Sequence, residues 1–225
     1  MMMMLTMKNK NAGWLRNGLL CLPMFVSVSM FGCSMTDAPQ TPLAPERDVR
    51  NYYTLVASPG AYYDYAVTST APYHPPSGAL GMNMQGLADT IGTMPLYSCL
   101  WTYQNYGTPT TWYYGLTDKQ AINFGTESWA GNYTDSWVDL QSPLQDSATW
   151  SFTSQGEQIT AKITQYGASA QVGVKTYDDV LMVQFTGAGG TTGTEWFARG
   201  VGLIFSNVTR PNLGMVENQL QSFQK

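Results

Sequence analysis

The stretch TEWFARGVGLIF, from Thr194 to Phe205, reads as a β-strand that carries two glycines, Gly200 and Gly202, on either side of Val201. Glycine weakens a strand and is placed there when the backbone must bulge, coil sharply or take a positive φ. The pair therefore predicts a structural bend in a curved antiparallel sheet, where a Cβ would clash with a neighbouring strand. The competing reading is close approach of the backbone to a ligand.

Working outward, the chain from Asn51 onward alternates apolar and polar residues and shows hardly any helical period. Strands are expected at Leu96–Tyr103, Thr110–Thr117, Ala121–Phe124, Ser147–Ser154, Gln158–Gln165, Ala168–Thr176 and Val180–Thr186. Between Gln158 and Gln165, Ile159, Ala161 and Ile163 alternate with Thr160, Lys162 and Thr164, giving one apolar and one polar face. Gly167 reads as the turn after them. NYYTLVASPGAYYDYAVTST, starting at Asn51, gives two apolar-aromatic stretches broken at Ser58, Pro59 and Gly60, and APYHPPSGALG after it reads as a loop. Short strands with such separators mark an antiparallel meander that closes into a barrel or sandwich. Two stretches echo each other: PGAYYDY at Pro59–Tyr65 and DSATWSF at Asp146–Phe152 share a turn residue followed by Ala-x-aromatic-x-aromatic.

Apolar residues make up 44% of the 225 residues, enough for a core, whereas charged residues reach only 12%. The net charge of −4 becomes more negative if the N-terminal segment leaves with Lys8, Lys10 and Arg16. A chain of this balance without a basic cluster is not a nucleic-acid binder.

That N-terminal segment is an address. Its three basic residues precede an apolar run from Leu19 to Phe31, too short for a comfortable membrane span and right for a signal-peptide core. The run ends at Gly32 and Cys33, and the segment resembles the lipobox of bacterial lipoproteins, which implies lipidation of Cys33; Phe31 stands where that pattern has a small residue. The alternative is a plain secretory signal cut nearby. SMTDAPQTPLAPER, from Ser34 to Arg47, holds three prolines without periodicity and reads as a semi-extended tether. The expected organisation is a signal peptide over 1–32, a lipidated N-terminus and tether over 33–48, a β domain over 49–210, and a C-terminal segment over 211–225 that offers one more strand.

EWFARGVGLI, with KTYDDVLMVQF and SPLQDSATWSF before it, resembles a pattern in bacterial envelope lipoproteins and secreted proteins. There a Pro-Leu and a Trp open one strand, and a later strand reads Ala-x-Gly-Val-Gly-Leu. Arg199 stands where that pattern often has Pro. The resemblance covers roughly Asn51 to Phe205 and implies a curved antiparallel sheet or incomplete barrel, similar to lipoprotein-carrier folds.

Chemistry is harder to find. His74, the only histidine, sits between prolines; Asp178 and Asp179 read as turn formers; Asp64, Asp139 and Glu195 show no spacing that assembles paired carboxylates. No nucleophile elbow, zinc spacing or phosphate loop occurs, so no catalytic residue, metal or cofactor is expected. Cys99 reads as a buried small hydrophobe. The aromatics of the middle third remain, and Trp101, Tyr103, Trp112, Tyr114 and Trp129 are the candidates to line a groove, the alternative being core packing. The expectation is a non-enzymatic lipoprotein of the bacterial cell envelope, lipid-anchored at the outer membrane, binding a lipid or other apolar ligand or serving as an assembly component beside an envelope protein. The alternative is a structural or adhesive module contacting protein or glycan.

Overall fold

In the computed structural model the described residues are 48–54, 56–72, 76–104, 106–126 and 136–225. They form one antiparallel sheet of twelve strands rolled into a nearly closed barrel, with no α-helix among them. The strands are β1 (Tyr62–Ser69), β2 (Ser77–Ile91), β3 (Met94–Tyr103), β4 (Tyr106–Leu116), β5 (Gln120–Thr126) and β6 (Trp137–Gln141), followed by β7 (Thr149–Ser154), β8 (Glu157–Val172), β9 (Lys175–Gly187), β10 (Thr192–Ala198), β11 (Gly202–Arg210) and β12 (Gly214–Gln224). Each pairs with its sequence neighbours, and β12 closes the ring onto β1, so the single gap in the ladder lies between β6 and β7.

Side chains seal that gap. The Trp150 indole N–H on β7 donates to the Val138 carbonyl on β6 at 3.1 Å. The Trp137 ring on β6 meets Phe152 on β7 edge-on at 5.1 Å. Two edges that would otherwise invite pairing with another chain are thus covered.

The alternation expected over Gln158–Gln165 is observed: Ile159, Ala161 and Ile163 are buried and Thr160, Lys162 and Thr164 exposed. Thr149, Ser151 and Thr153 continue the exposed row on β7. The outside of this wall is made for water, and the barrel's apolar content lies within.

Several local expectations are corrected. Gly167 is not a turn; it sits inside β8 with φ +70°, where the pairing to β9 shifts register, and the turn comes at Gly173 and Val174. Ser77–Gly81 belongs to β2 rather than to a loop, because only the prolines before it are excluded from the ladder. Asp178 and Asp179 lie within β9, and Asp179 accepts from Tyr52 Oη at 2.9 Å. Thr194–Phe205 is not one strand: Arg199–Val201 is the turn of the β10–β11 hairpin. The segment of residues 52–54 and 56–57 is not a strand either. It follows a short 3-10 turn (Val49–Asn51) in a segment that plugs one end of the barrel. Val49, Tyr52, Tyr53 and Val56 are buried there, and backbone bonds from Val49 N to Asp118 O (3.1 Å) and from Gly200 N to Asn51 O (2.7 Å) tie the plug to two turns of that end.

The chain repeats itself. Ala61 N donates to Ser58 O (3.1 Å), and Gly60 N and Met84 N bond to Met84 O (2.7 Å) and Ala61 O (2.9 Å); Ala148 N donates to Gln145 O (3.1 Å), and Ser147 N and Ile163 N bond to Ile163 O and Ala148 O (2.9 Å each). Gly60 and Ser147 both have positive φ, +81° and +65°. Directly after Met84 on β2 and Ile163 on β8 the register shifts; it shifts again on β4 between Tyr113 and Tyr114 and on β10 between Trp196 and Phe197. The echo between Pro59–Tyr65 and Asp146–Phe152 is therefore the visible trace of two six-stranded halves with matching bulges.

Candidate functional site

Consecutive turns of an antiparallel meander alternate between its two ends. One end holds the plug. Toward the other, where the turns at Gln155–Gly156 and Pro211–Leu213 lie, the barrel interior widens into a cavity of about 470 Å³. Trp101, Tyr103, Trp112, Phe124 and Trp137 form its aromatic wall, with Val208, Leu213 and Val216 facing them. Trp101 and Trp112 stack on each other at 4.2 Å, a diagonal arrangement set by the register in which Trp101 pairs with Thr110 and Trp112 with Cys99. Of the sequence candidates, Trp101, Tyr103 and Trp112 line this cavity. Tyr114 lines a smaller space of about 100 Å³ toward the plug, which shares Trp101, Asn123, Asp139, Glu195, Ser206 and Asn218 with the larger one. Trp129, His74 and Cys33 lie outside the described residues.

The expectation that Asp139 and Glu195 stay scattered is corrected: β6 and β10 bring both carboxyls to the junction of these two spaces. Sequence spacing could not show this, because the two residues lie on strands separated by most of the sheet and meet only across the barrel's interior. Both are buried, at 4% and 7% exposure. Asp139 Oδ2 accepts the phenolic hydrogen of Tyr53, which reaches it from the plug. Burial pushes the Asp139 carboxyl up to about 7 even though the Tyr53 bond works in the opposite direction. Burial, and then the neighbouring Asp139 charge, pushes Glu195 well above the usual carboxylate range.

The site is incompletely satisfied by the protein. Among the described residues, Glu195 Oε2, Asn218 Oδ1 and the indole N–H groups of Trp101 and Trp137 are buried without a hydrogen bond, although the Trp137 N–H comes near enough to favour the Glu195 charge and the Trp101 N–H near enough to favour the Cys99 thiolate. Ser206 Oγ stands 3.5 Å from Glu195 Oε1, a long contact. Nearer the turns, the Arg210 guanidinium lies 5.2 Å from the centre of the Trp137 ring. No group of His, Cys, Asp and Glu suited to a metal ion occurs among the described residues.

Gly200 and Gly202 belong to the frame of the site. Gly200 (φ +73°) turns the β10–β11 hairpin with open space about it. Gly202 (φ +106°) lies under the Tyr63 phenol, and a Cβ there would stand 2.8 Å from Tyr63 Oη. That phenol donates to Val201 O at 2.6 Å, and Tyr65 Oη donates to Leu203 O at 2.8 Å, so two tyrosines of β1 brace the hairpin from inside. Cys99 is a free buried thiol, pushed up to about 12 by its burial.

No family model matches the chain, and no curated protein matches it either. Among solved structures it is similar to a protein from Parabacteroides distasonis, provisionally assigned as a lipoprotein (10% identity, 75% of this chain and 96% of that one, TM-score 0.39). It is also similar to a provisionally assigned exported protein with a YmcC-like fold from Bacteroides fragilis (10% identity, 75% of this chain and 97% of that one, TM-score 0.45). At such identities and superposition scores neither protein's properties carry over.

Proposed function

We propose that the protein is a non-enzymatic, lipid-anchored component of the bacterial envelope that holds a small ligand inside its barrel. The observation that carries the ligand half is the 470 Å³ cavity walled by Trp101, Tyr103, Trp112 and Trp137. Aromatic-lined concave spaces with a few convergent polar groups are what small-molecule sites are made of. A module working only through exposed aromatics would instead fill its interior. The anchoring half, including placement at the outer membrane, rests on the basic n-region, the apolar run from Leu19 to Phe31, and Cys33 followed by Ser34. The ligand has an apolar body, for the aromatic wall, and at least one hydrogen-bonding group, for the unsatisfied atoms at Glu195 and Asn218.

The test is mass spectrometry of protein extracted natively from membranes. It should show acyl chains on Cys33 and a retained small molecule that is lost in Trp101→Ala. Unmodified Cys33 overturns the anchor, and an empty barrel in both proteins overturns the ligand.

The paired buried carboxyls of Asp139 and Glu195 favour one second reading, acid–base catalysis on the bound molecule. Chemical conversion of the retained molecule by the wild type, and not by Glu195→Gln, would decide for it.

A further inference from the structure

The chemistry around Glu195 points to a more definite ligand, an inference that rests on the ligand-holding reading above. The two carboxyls share one cavity, yet neither forms an ion pair among the described residues. The ion pairs among the described residues are Asp48 with Arg50 and Asp179 with Arg199. Arg210 also lines the cavity; it lies over the Trp137 ring, close enough to favour the Glu195 charge but without an ion pair to either acid. Two of the vacant atoms, Glu195 Oε2 and Asn218 Oδ1, are acceptors beside Asp139, which accepts from Tyr53; the other two, the Trp101 and Trp137 indole N–H groups, are donors. Glu195 is more than nine-tenths buried and lines the cavity, and its Oε2 has no hydrogen bond among the described residues.

Burial holds both carboxyls toward their protonated forms, and a ligand that sets a positive charge against them favours their ionisation and offsets that cost on binding. A primary ammonium carries three donors and no acceptor, matching Glu195, Asn218 and Asp139. The Trp101 and Trp112 faces beside them favour a cation and cover its hydrocarbon body. An anionic head would meet two acids instead.

We propose that the barrel takes an amphipathic primary amine, its ammonium seated between Glu195, Asn218 and Asp139 and its apolar body along Trp101, Trp112 and Trp137. The geometry needs no bond to be made or broken.

The experiment compares three probes of equal chain length, n-octylamine, 1-octanol and octanoate, titrated into the whole mature protein at neutral pH by calorimetry and tryptophan fluorescence. Octylamine should bind at least about tenfold more tightly than octanol, with octanoate weakest. Glu195→Gln should shrink the amine's advantage over octanol to about twofold or less while leaving octanol binding in place. The comparison among probes on the wild type stands even if that variant fails to fold. Octanol or octanoate binding as tightly as the amine overturns the amine assignment and leaves the ligand-holding barrel intact. If no probe binds, and none shifts the fluorescence of the cavity tryptophans, both fall together.

Discussion

The phenol of Tyr53 donates to the Asp139 carboxylate across a sequence separation of 86 residues, and its ring lies 5.5 Å from that of Phe197. One side chain of the N-terminal plug thereby fixes a carboxyl on β6 and packs against β10. The plug is thus part of the site, because it supplies a donor to Asp139.

Tyr53→Phe keeps the packing and removes the donor. It should destabilise the fold by about 1 to 3 kcal/mol, the cost of leaving a buried acceptor unmade. Chemical denaturation at neutral pH measures it. An unchanged midpoint would mean that the bond does not anchor the plug.

The pH dependence has a definite sign. Asp139 titrates near 7 in the folded protein against a reference of 3.8, so the folded state holds its proton where the unfolded state has lost it. This group therefore costs stability progressively as pH rises from about 4 to 7, and the full cost persists above that. Asp139→Asn should be more stable than the wild type at pH 8, by up to about 4 kcal/mol, with the gain shrinking toward pH 4. Urea titrations at both pH values, with Glu195→Gln as a parallel variant expected to follow the same sign, provide the check. A gain that grows as pH falls would refute the assignment.

The hairpin glycines should differ in their tolerance. Gly200→Ala meets open space and carries only the strain of its positive φ, about 1 kcal/mol. Gly202→Ala or Gly202→Val adds a collision with the Tyr63 phenol, which cannot withdraw without giving up Val201 O, and should cost about 2 to 4 kcal/mol. Equal thermal shifts for the two positions would remove the brace from the explanation.

Trp150→Phe tests the seam. The ring can remain buried, but the bond to Val138 O is gone, so about 1 to 2 kcal/mol is lost. Backbone hydrogen exchange should quicken first along β6, the shorter edge strand, and uniform protection loss around the ring would count against a local seam.

How much of this was legible beforehand follows from the range of each signal. The period-two alternation of Ile159, Ala161 and Ile163 is a local signal and agrees with the structure, as do the strands expected at Leu96–Tyr103 and Ala121–Phe124. Gly167 misled because a positive-φ glycine serves a bulge as readily as a turn, and only the partner strand distinguishes them. Gly200 and Gly202 announced special geometry, whereas the reason for Gly202 is a phenol 139 residues earlier in the chain. Trp101, Tyr103 and Trp112 stood out by composition, but Asp139 and Glu195 carried no local sign of their pairing.

Alternation, turn residues and low charge determined by themselves that this is an antiparallel all-strand domain, since strand formation depends on neighbours two residues apart. Where the ring closes, which end is plugged and which acids meet inside were decided by tertiary structure alone. Those facts depend on the order in which distant strands pair around a barrel, and no short stretch of chain encodes that order.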